Sequence, residues 1–322
     1  MKRTRSTPSL WLVTAIWGLN AVGLVSALAG ATFYLANRQP ATQPLDLPLA
    51  PASSATPTPP PQIYYLPTVT PNPLTTPIAV FTPTAFVLEN GPRPTIVGYS
   101  VSGRPLEVYT FGQGEKQVMI VAGIHGGYEW NTIALADELI IYINSHPEII
   151  PSDTTLFILR NMNPDGDARA HTVDGRVNDH GVDLNRNFPE NWQSEWDRDG
   201  CWDYTATTGG TAPGSEPETR AVMNFLSTHK IVALISYHSA ALGIFPGGEP
   251  WDEDSIAFAK ALAKATKYPF PPIDTGCVYT GTLADYAVSL GADAVDMELR
   301  NHRDTDFSQN LKALKVLLNW QP

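Results

Sequence analysis

Five short apolar runs rich in β-branched residues punctuate the C-terminal two thirds of the chain: Leu106–Phe111, Gln117–Ala122, Thr155–Leu159, Ile231–Tyr237 and Ala294–Leu299. Their length and composition predict strands. Between them, apolar positions recur every three to four residues over Asn131–Ser145, Glu216–Leu226, Ser255–Lys267 and Phe307–Trp320, which predicts helices. Ser215 followed three residues later by Glu218 reads as a capping box opening the second helix. Strands alternating with helices predict an α/β domain, with a mixed, mostly parallel central sheet flanked by helices. No internal repeat interrupts this pattern, so residues 95–322 are expected to form one domain.

The N-terminal third follows different rules. From Leu10 to Ala36 no side chain is charged. As a helix this run spans about 40 Å at ~1.5 Å per residue, enough to cross a bilayer. Lys2, Arg3 and Arg5 precede it and only Arg38 closely follows, so the positive-inside rule places the body of the chain outside the cytoplasm. A cleaved signal peptide is the alternative, with Ala27-Leu28-Ala29 as its cleavage site. Apolar residues continue past that site to Leu35, which favours a retained anchor over residues 1–37. Residues 38–94 carry about half of the chain's 29 prolines, interleaved with Thr, Ser and Ala. Proline removes backbone donors and favours extended conformations, so this stretch reads as a semi-rigid stalk, and no folded inhibitory pro-domain is expected there.

Of the 322 residues, 43% are hydrophobic and 16% charged, which fits a globular body. Removing the five basic and two acidic residues before position 95 from the totals of 21 and 32 leaves 16 basic and 30 acidic. So acidic a body repels phosphate backbones and argues against a nucleic-acid partner. The two cysteines, Cys201 and Cys277, are too far apart for a zinc knuckle. In an exported chain they are expected to form a disulfide, the alternative being two buried thiols.

Candidate chemistry gathers at strand ends. Val118–Ala122 runs into Gly123-Ile124-His125-Gly126-Gly127-Tyr128-Glu129, and Ile231–Tyr237 delivers His238. Open α/β sheets bind ligands at the C-terminal edges of their strands. Two imidazoles and a carboxylate there suit a catalytic zinc ion, leaving one position for water. Glu298 ends a third strand and suits a general base. His146, His171, His180, His229 and His302 lie in polar or loop contexts and read as surface residues. Between the ligand segments lie Asn163-Pro164-Asp165-Gly166, Asp174–Asn178 and Gly181-Val182-Asp183-Leu184-Asn185-Arg186-Asn187-Phe188-Pro189. Arginines fixed among Asn and Gly suit recognition of a carboxylate or oxyanion.

Taken in order, these motifs, Ser215–Thr219 and Glu298-Leu299-Arg300 resemble the zinc metallocarboxypeptidases of the carboxypeptidase A-like type, in their compact bacterial form. The resemblance runs from about Gly98 to Arg300. It implies zinc held by His125, Glu129 and His238, and Glu298 as the base that activates water and then protonates the leaving amine. It implies Arg176 as the oxyanion arginine, and Asn185 and Arg186 as the clamp on the substrate's C-terminal carboxylate. Tyr279 matches the mobile tyrosine that closes over that carboxylate, with Tyr286 as the alternative. One departure is plain: three residues separate His125 from Glu129, where the family usually has two.

The function expected is hydrolysis of the C-terminal peptide bond of peptides or of cell-wall stem peptides with a free carboxylate. A zinc amidase or deacylase of the aspartoacylase-like branch, and a non-catalytic surface-binding protein of the same fold, are the alternatives. Thr282, Leu283, Ala284 and Asp285 are expected to line the specificity pocket. Asp285 either favours a basic or diaminopimelate-like side chain or makes a structural hydrogen bond.

Overall fold

The computed structural model describes Phe86, Leu88, residues 91–198, Cys201, and residues 207–241, 243–274 and 276–321. The apolar run 10–36 and the bulk of the Pro-rich segment lie outside these residues. Among the described residues, no helix is long and apolar enough to cross a membrane.

Seven strands form one sheet in the order β1-β2-β4-β3-β5-β7-β6. They are β1 (Thr95–Tyr99), β2 (Pro105–Gly112), β3 (Lys116–Val121), β4 (Thr154–Leu159), β5 (Ile231–Ser239), β6 (Gly243–Pro246) and β7 (Asp293–Leu299). The central four, β4-β3-β5-β7, are mutually parallel. β1, β2 and β6 join antiparallel. The sheet is therefore mixed, with three parallel pairings rather than a parallel majority. The chain moves from β3 to β4 on one side and later returns to place β5 on the other, so β3 and β5 flank a topological switch point.

Helices cover both faces: α1 (Trp130–Ser145), α2 (Pro164–Arg169), α3 (Pro217–Thr228), α4 (Glu253–Ala265), α5 (Leu283–Ser289) and α6 (Phe307–Asn319). Alternation along the strands divides the core in two. Val118, Ile120, Ile158, Ile235 and Val295 pack with α1, α4 and α6. Met119, Val121, Phe157, Leu234 and Ala294 pack with α3 and α5. Val118 to Val121 are wholly excluded from solvent. Each such side chain contributes roughly 1.5–3 kcal/mol on burial, so the strand leading to His125 is firmly anchored.

The five predicted strands and four predicted helices all form, with no end shifted by more than two residues. Missing from the prediction were β1, β6, α2 and α5. The capping box does not form. Helix α3 starts at Pro217 with Glu216 as its cap residue and no side-chain cap. Ser215 Oγ instead donates to Glu216, and Glu218 accepts from the Val101 amide at 3.0 Å. Proline at the first position leaves fewer amides to cap, and the buried Glu216 and Glu218 are taken by Asn178.

Cys201 and Cys277 form a disulfide.

Candidate active site

His125 lies four residues beyond the end of β3. The chain then turns through Gly126 (φ +47°) into a single 3-10 turn, Gly126–Glu129, and α1 follows at Trp130. A β-carbon on Gly127 would lie 2.1 Å from the Ala170 carbonyl oxygen, so only glycine fits this path. Thr132 ties the corner down: its hydroxyl donates to the Glu129 carbonyl and accepts from the Gly123 amide. The tight turn absorbs the extra residue between His125 and Glu129, and Glu129 Oε1 reaches His125 Nδ1 at 2.8 Å. On β5, His238 presents Nδ1 3.2 Å from His125 Nδ1. One donor atom from each of His125, Glu129 and His238 lies within 4.8 Å of the others, and all three residues are buried.

This donor set fits zinc. Two imidazole nitrogens face one another, and Glu129 Oε2 is buried without a hydrogen bond, though 3.3 Å from His238 Nδ1. Burial would depress the His238 imidazole, yet the carboxylates of Asp296 and Glu129 override it and hold its pKa well above the usual value. Glu129 is held below the ordinary carboxylate range by His125 and His238, against its burial. A site that draws a proton so strongly has the charge balance for a cation.

Outer partners orient both imidazoles. His125 Nε2 meets Asp183 Oδ1 at 3.2 Å, and His238 Nε2 lies 3.0 Å from Ser236 Oγ and 3.4 Å from Asp296 Oδ1. Carboxylates behind metal-binding imidazoles fix the tautomer and raise basicity. Asp183 also accepts from Arg176 Nε at 2.9 Å. Burial would raise its pKa, but Arg176 and His125 hold it well below the usual range.

A cavity of about 280 Å³ opens over the triad. It is lined by Arg176, Asn185, Arg186, Tyr279, Asp296 and Glu298, among others. Arg186 is 4% exposed, and its only hydrogen bond among the described residues is to the Asn185 carbonyl, at 2.8 Å. Its Nε is buried without a partner, and it has no carboxylate partner among the described residues. Its guanidinium lies 5.3 Å from the Trp196 ring and 5.4 Å from the Tyr279 ring. Asn185 accepts from the Leu283 amide at 2.9 Å and turns its Nδ2 toward Asp296.

β5 and β7 pair so that His238 and Glu298 stand directly across from each other. Glu298 accepts from the Ala241 amide at 3.0 Å. Burial pushes its carboxyl up to about 7, with His238 opposing the rise and Glu129 adding to it.

All eight residues singled out from the sequence line this one cavity. Tyr279 lies at its rim, 39% exposed, whereas Tyr286 stacks on Phe188 in the core and does not line it. Leu283 is fully buried in the core rather than lining the pocket; Thr282, Ala284 and Asp285 do line it. Asp285 Oδ1 also accepts from the Gly248 amide at 2.7 Å, so it has both a structural bond and a place on the wall. Two histidines depart from a surface reading. His229 stacks on Phe225, and His302 lines the cavity. Asp183 and Asp296 were also missed as partners of the imidazoles. Asp296 could have been found by alternation, since it lies two residues before Glu298 on the same face of β7.

Comparison with known proteins agrees with this arrangement. A family model described as zinc carboxypeptidase matches residues 93–308. Murein peptide amidase A of Escherichia coli (strain K12) is 26% identical over 233 residues, covering 70% of this chain and 89% of that protein. Carboxypeptidase M of Mus musculus is 32% identical over 215 residues, covering 61% of this chain and 39% of that protein. The crystal structure of the murein-tripeptide amidase from Escherichia coli O157 superposes with a TM-score of 0.55 at 25% identity, covering 72% of this chain and 93% of that one. The matched residues run from just before β1 to the start of α6, and so take in the whole sheet and every residue of the cavity; the chain belongs to the zinc carboxypeptidase family, with zinc as its cofactor.

Proposed function

We propose that this chain is a peptide hydrolase that cleaves the bond preceding a C-terminal residue with a free α-carboxylate. The observation that carries this reading is Arg186: a buried guanidinium, without a carboxylate partner among the described residues, in the cavity that holds the His–Glu–His set. A buried cation without an ion-pair partner is costly unless a ligand supplies the anion.

In this reading His125, Glu129 and His238 hold the zinc ion, which supplies Lewis acidity and lowers the pKa of water. Glu298 takes the proton of the attacking water and passes it to the leaving amine. Arg176 donates to the carbonyl oxygen as charge develops there. Asn185 and Arg186 orient the C-terminal carboxylate, and Tyr279 closes over it.

Cleavage of otherwise identical peptides with free and amidated C-termini, followed by mass spectrometry, tests the reading. The free acid is expected to react faster by on the order of a hundredfold or more, because an uncharged amide leaves Arg186 unpaired. Equal rates would remove the role given to Arg186.

Within this reaction, cell-wall peptides ending in a diamino acid are the favoured substrates. Glu249, Asp285 and Asp296 all line the cavity and suit a cationic side chain, and a murein peptide amidase is among the relatives. The full set of ligands, base and arginines argues against a non-catalytic binding protein. We further propose that the chain acts outside the cytoplasm, held by the apolar run 10–36 and set off from the membrane by the Pro-rich segment. Protease treatment of intact cells is expected to release the catalytic body.

A further inference from the structure

His302 lines the cavity, and the proposed reaction gives it no task. It follows β7 by three residues and lies beside Tyr128, with ring centroids 4.7 Å apart. Its Nδ1 is 3.1 Å from Ser239 Oγ.

The surrounding hydrogen bonds fix its tautomer. Asn131, fully buried, directs Nδ2 at two carbonyls, those of Asn301 at 2.7 Å and Asp304 at 3.1 Å. Carbonyls only accept, so this end of the Asn131 amide must be the NH2 group. Its Oδ1 therefore accepts the Ser239 hydroxyl proton, at 2.9 Å. Ser239 has no second proton to give and can only accept from His302. The proton thus sits on Nδ1, and Nε2 is left with a lone pair. Among the described residues Nε2 has no hydrogen bond, and it is absent from the buried polar atoms lacking partners, so it is open to solvent there. Burial of the ring lowers its pKa, which keeps this neutral form.

Position then gives the acceptor a meaning. Tyr128, whose ring lies 4.7 Å from that of His302, also lies 6.0 Å from the Arg176 guanidinium, whereas Arg186 lies beside Trp196 and Tyr279. A substrate whose carboxylate is on Arg186 and whose scissile carbonyl is beside Arg176 must extend its acyl side toward His302. We propose that His302 Nε2 accepts a hydrogen bond from an N–H on the acyl side of the substrate, so that the enzyme selects peptidyl over simple acyl groups at that position. This rests on the carboxypeptidase reading above.

The test compares two substrates with the same C-terminal residue: an N-acyl dipeptide, and its isostere with CH2 in place of the acyl-side N–H. The wild type is expected to favour the N–H substrate in kcat/KM by roughly three- to tenfold, as befits one neutral hydrogen bond. His302→Ala should abolish that preference and leave turnover of the isostere within about twofold, while His302→Gln, which keeps an acceptor, should restore part of it. A preference undiminished in His302→Ala, an equal loss on both substrates, or no preference in the wild type would each overturn the proposal while leaving the carboxypeptidase reading intact. Failure of the wild type to cleave either substrate would overturn both.

Discussion

In the proposed reaction Glu298 faces opposite demands in folding and in catalysis. Its carboxyl titrates near 4.5 when unconstrained and is pushed up to about 7 by burial in the metal-free protein. Between those values the folded chain holds more protons than the unfolded one, so this group's contribution to stability falls as pH rises through the window. Above about pH 7 the whole cost is present. Glu298→Gln keeps the acceptor for Ala241 and removes the charge. The variant is expected to lose about 10²–10⁴-fold in kcat. Its metal-free form is expected to melt higher than the wild type above pH 7, with no such gain near pH 4. Thermal melts at the two pH values, together with zinc content and turnover, check this. A variant less stable than the wild type at pH 8 would contradict the assignment of burial as the cause.

At the scale of elements, the turn from β3 to α1 decides whether the zinc set forms at all. Gly127→Ala puts a methyl group 2.1 Å from the Ala170 oxygen, and backbone has to move to admit it. We expect a loss of roughly 1–3 kcal/mol in stability and weaker zinc binding, because Glu129 rides on the same turn. Retention of full zinc affinity in that variant would mean that Glu129 is not positioned by this path. The sequence made the turn visible as a pair of glycines but not its shape. What was legible follows the same logic. β3, β4 and β5 are largely apolar runs because both faces of the sheet are covered, β7 interrupts its apolar residues with Asp296 and Glu298, and the strand ends name His125, His238 and Glu298. β1 was not legible because it is a partly exposed edge strand broken by Gly98, and β6 because it has only four residues. Arg186 could be placed in a motif, but its lack of a carboxylate partner is a tertiary fact. His302 was misread because its setting depends on Asn131 and Ser239, which lie 171 and 63 positions away.

For the molecule as a whole, the site links metal, proton and substrate. Against its burial, Asp296 and Glu129 hold the His238 pKa well above the usual value, and zinc requires the imidazole's lone pair. Zinc uptake is therefore expected to release protons, and affinity to fall as pH falls. Calorimetric titration in buffers of different ionisation enthalpy would show this as a buffer-dependent heat; identical heats in all buffers would contradict it. Zinc bound only to the folded form also raises the melting temperature in a concentration-dependent way, and chelation reverses the gain. The residues that meet here, from His125 to Glu298, are spread over most of the matched region, so no short fragment carries the chemistry.

Trp196 gives the cavity an optical signal of its own. It is 7% exposed, and its ring has two guanidiniums nearby, Arg186 at 5.3 Å and Arg198 at 4.3 Å. A carboxylate arriving at Arg186 neutralises one of the charges that polarise the ring. Occupancy of the clamp should therefore change intrinsic fluorescence without any label or turnover. Titration of the zinc-loaded protein with a free amino acid product is expected to give a saturable change in emission, lost in Trp196→Phe even though the product still binds. Trp251 also lines the cavity, so it is the part of the change lost in Trp196→Phe that would tell whether a new compound occupies the Arg186 end.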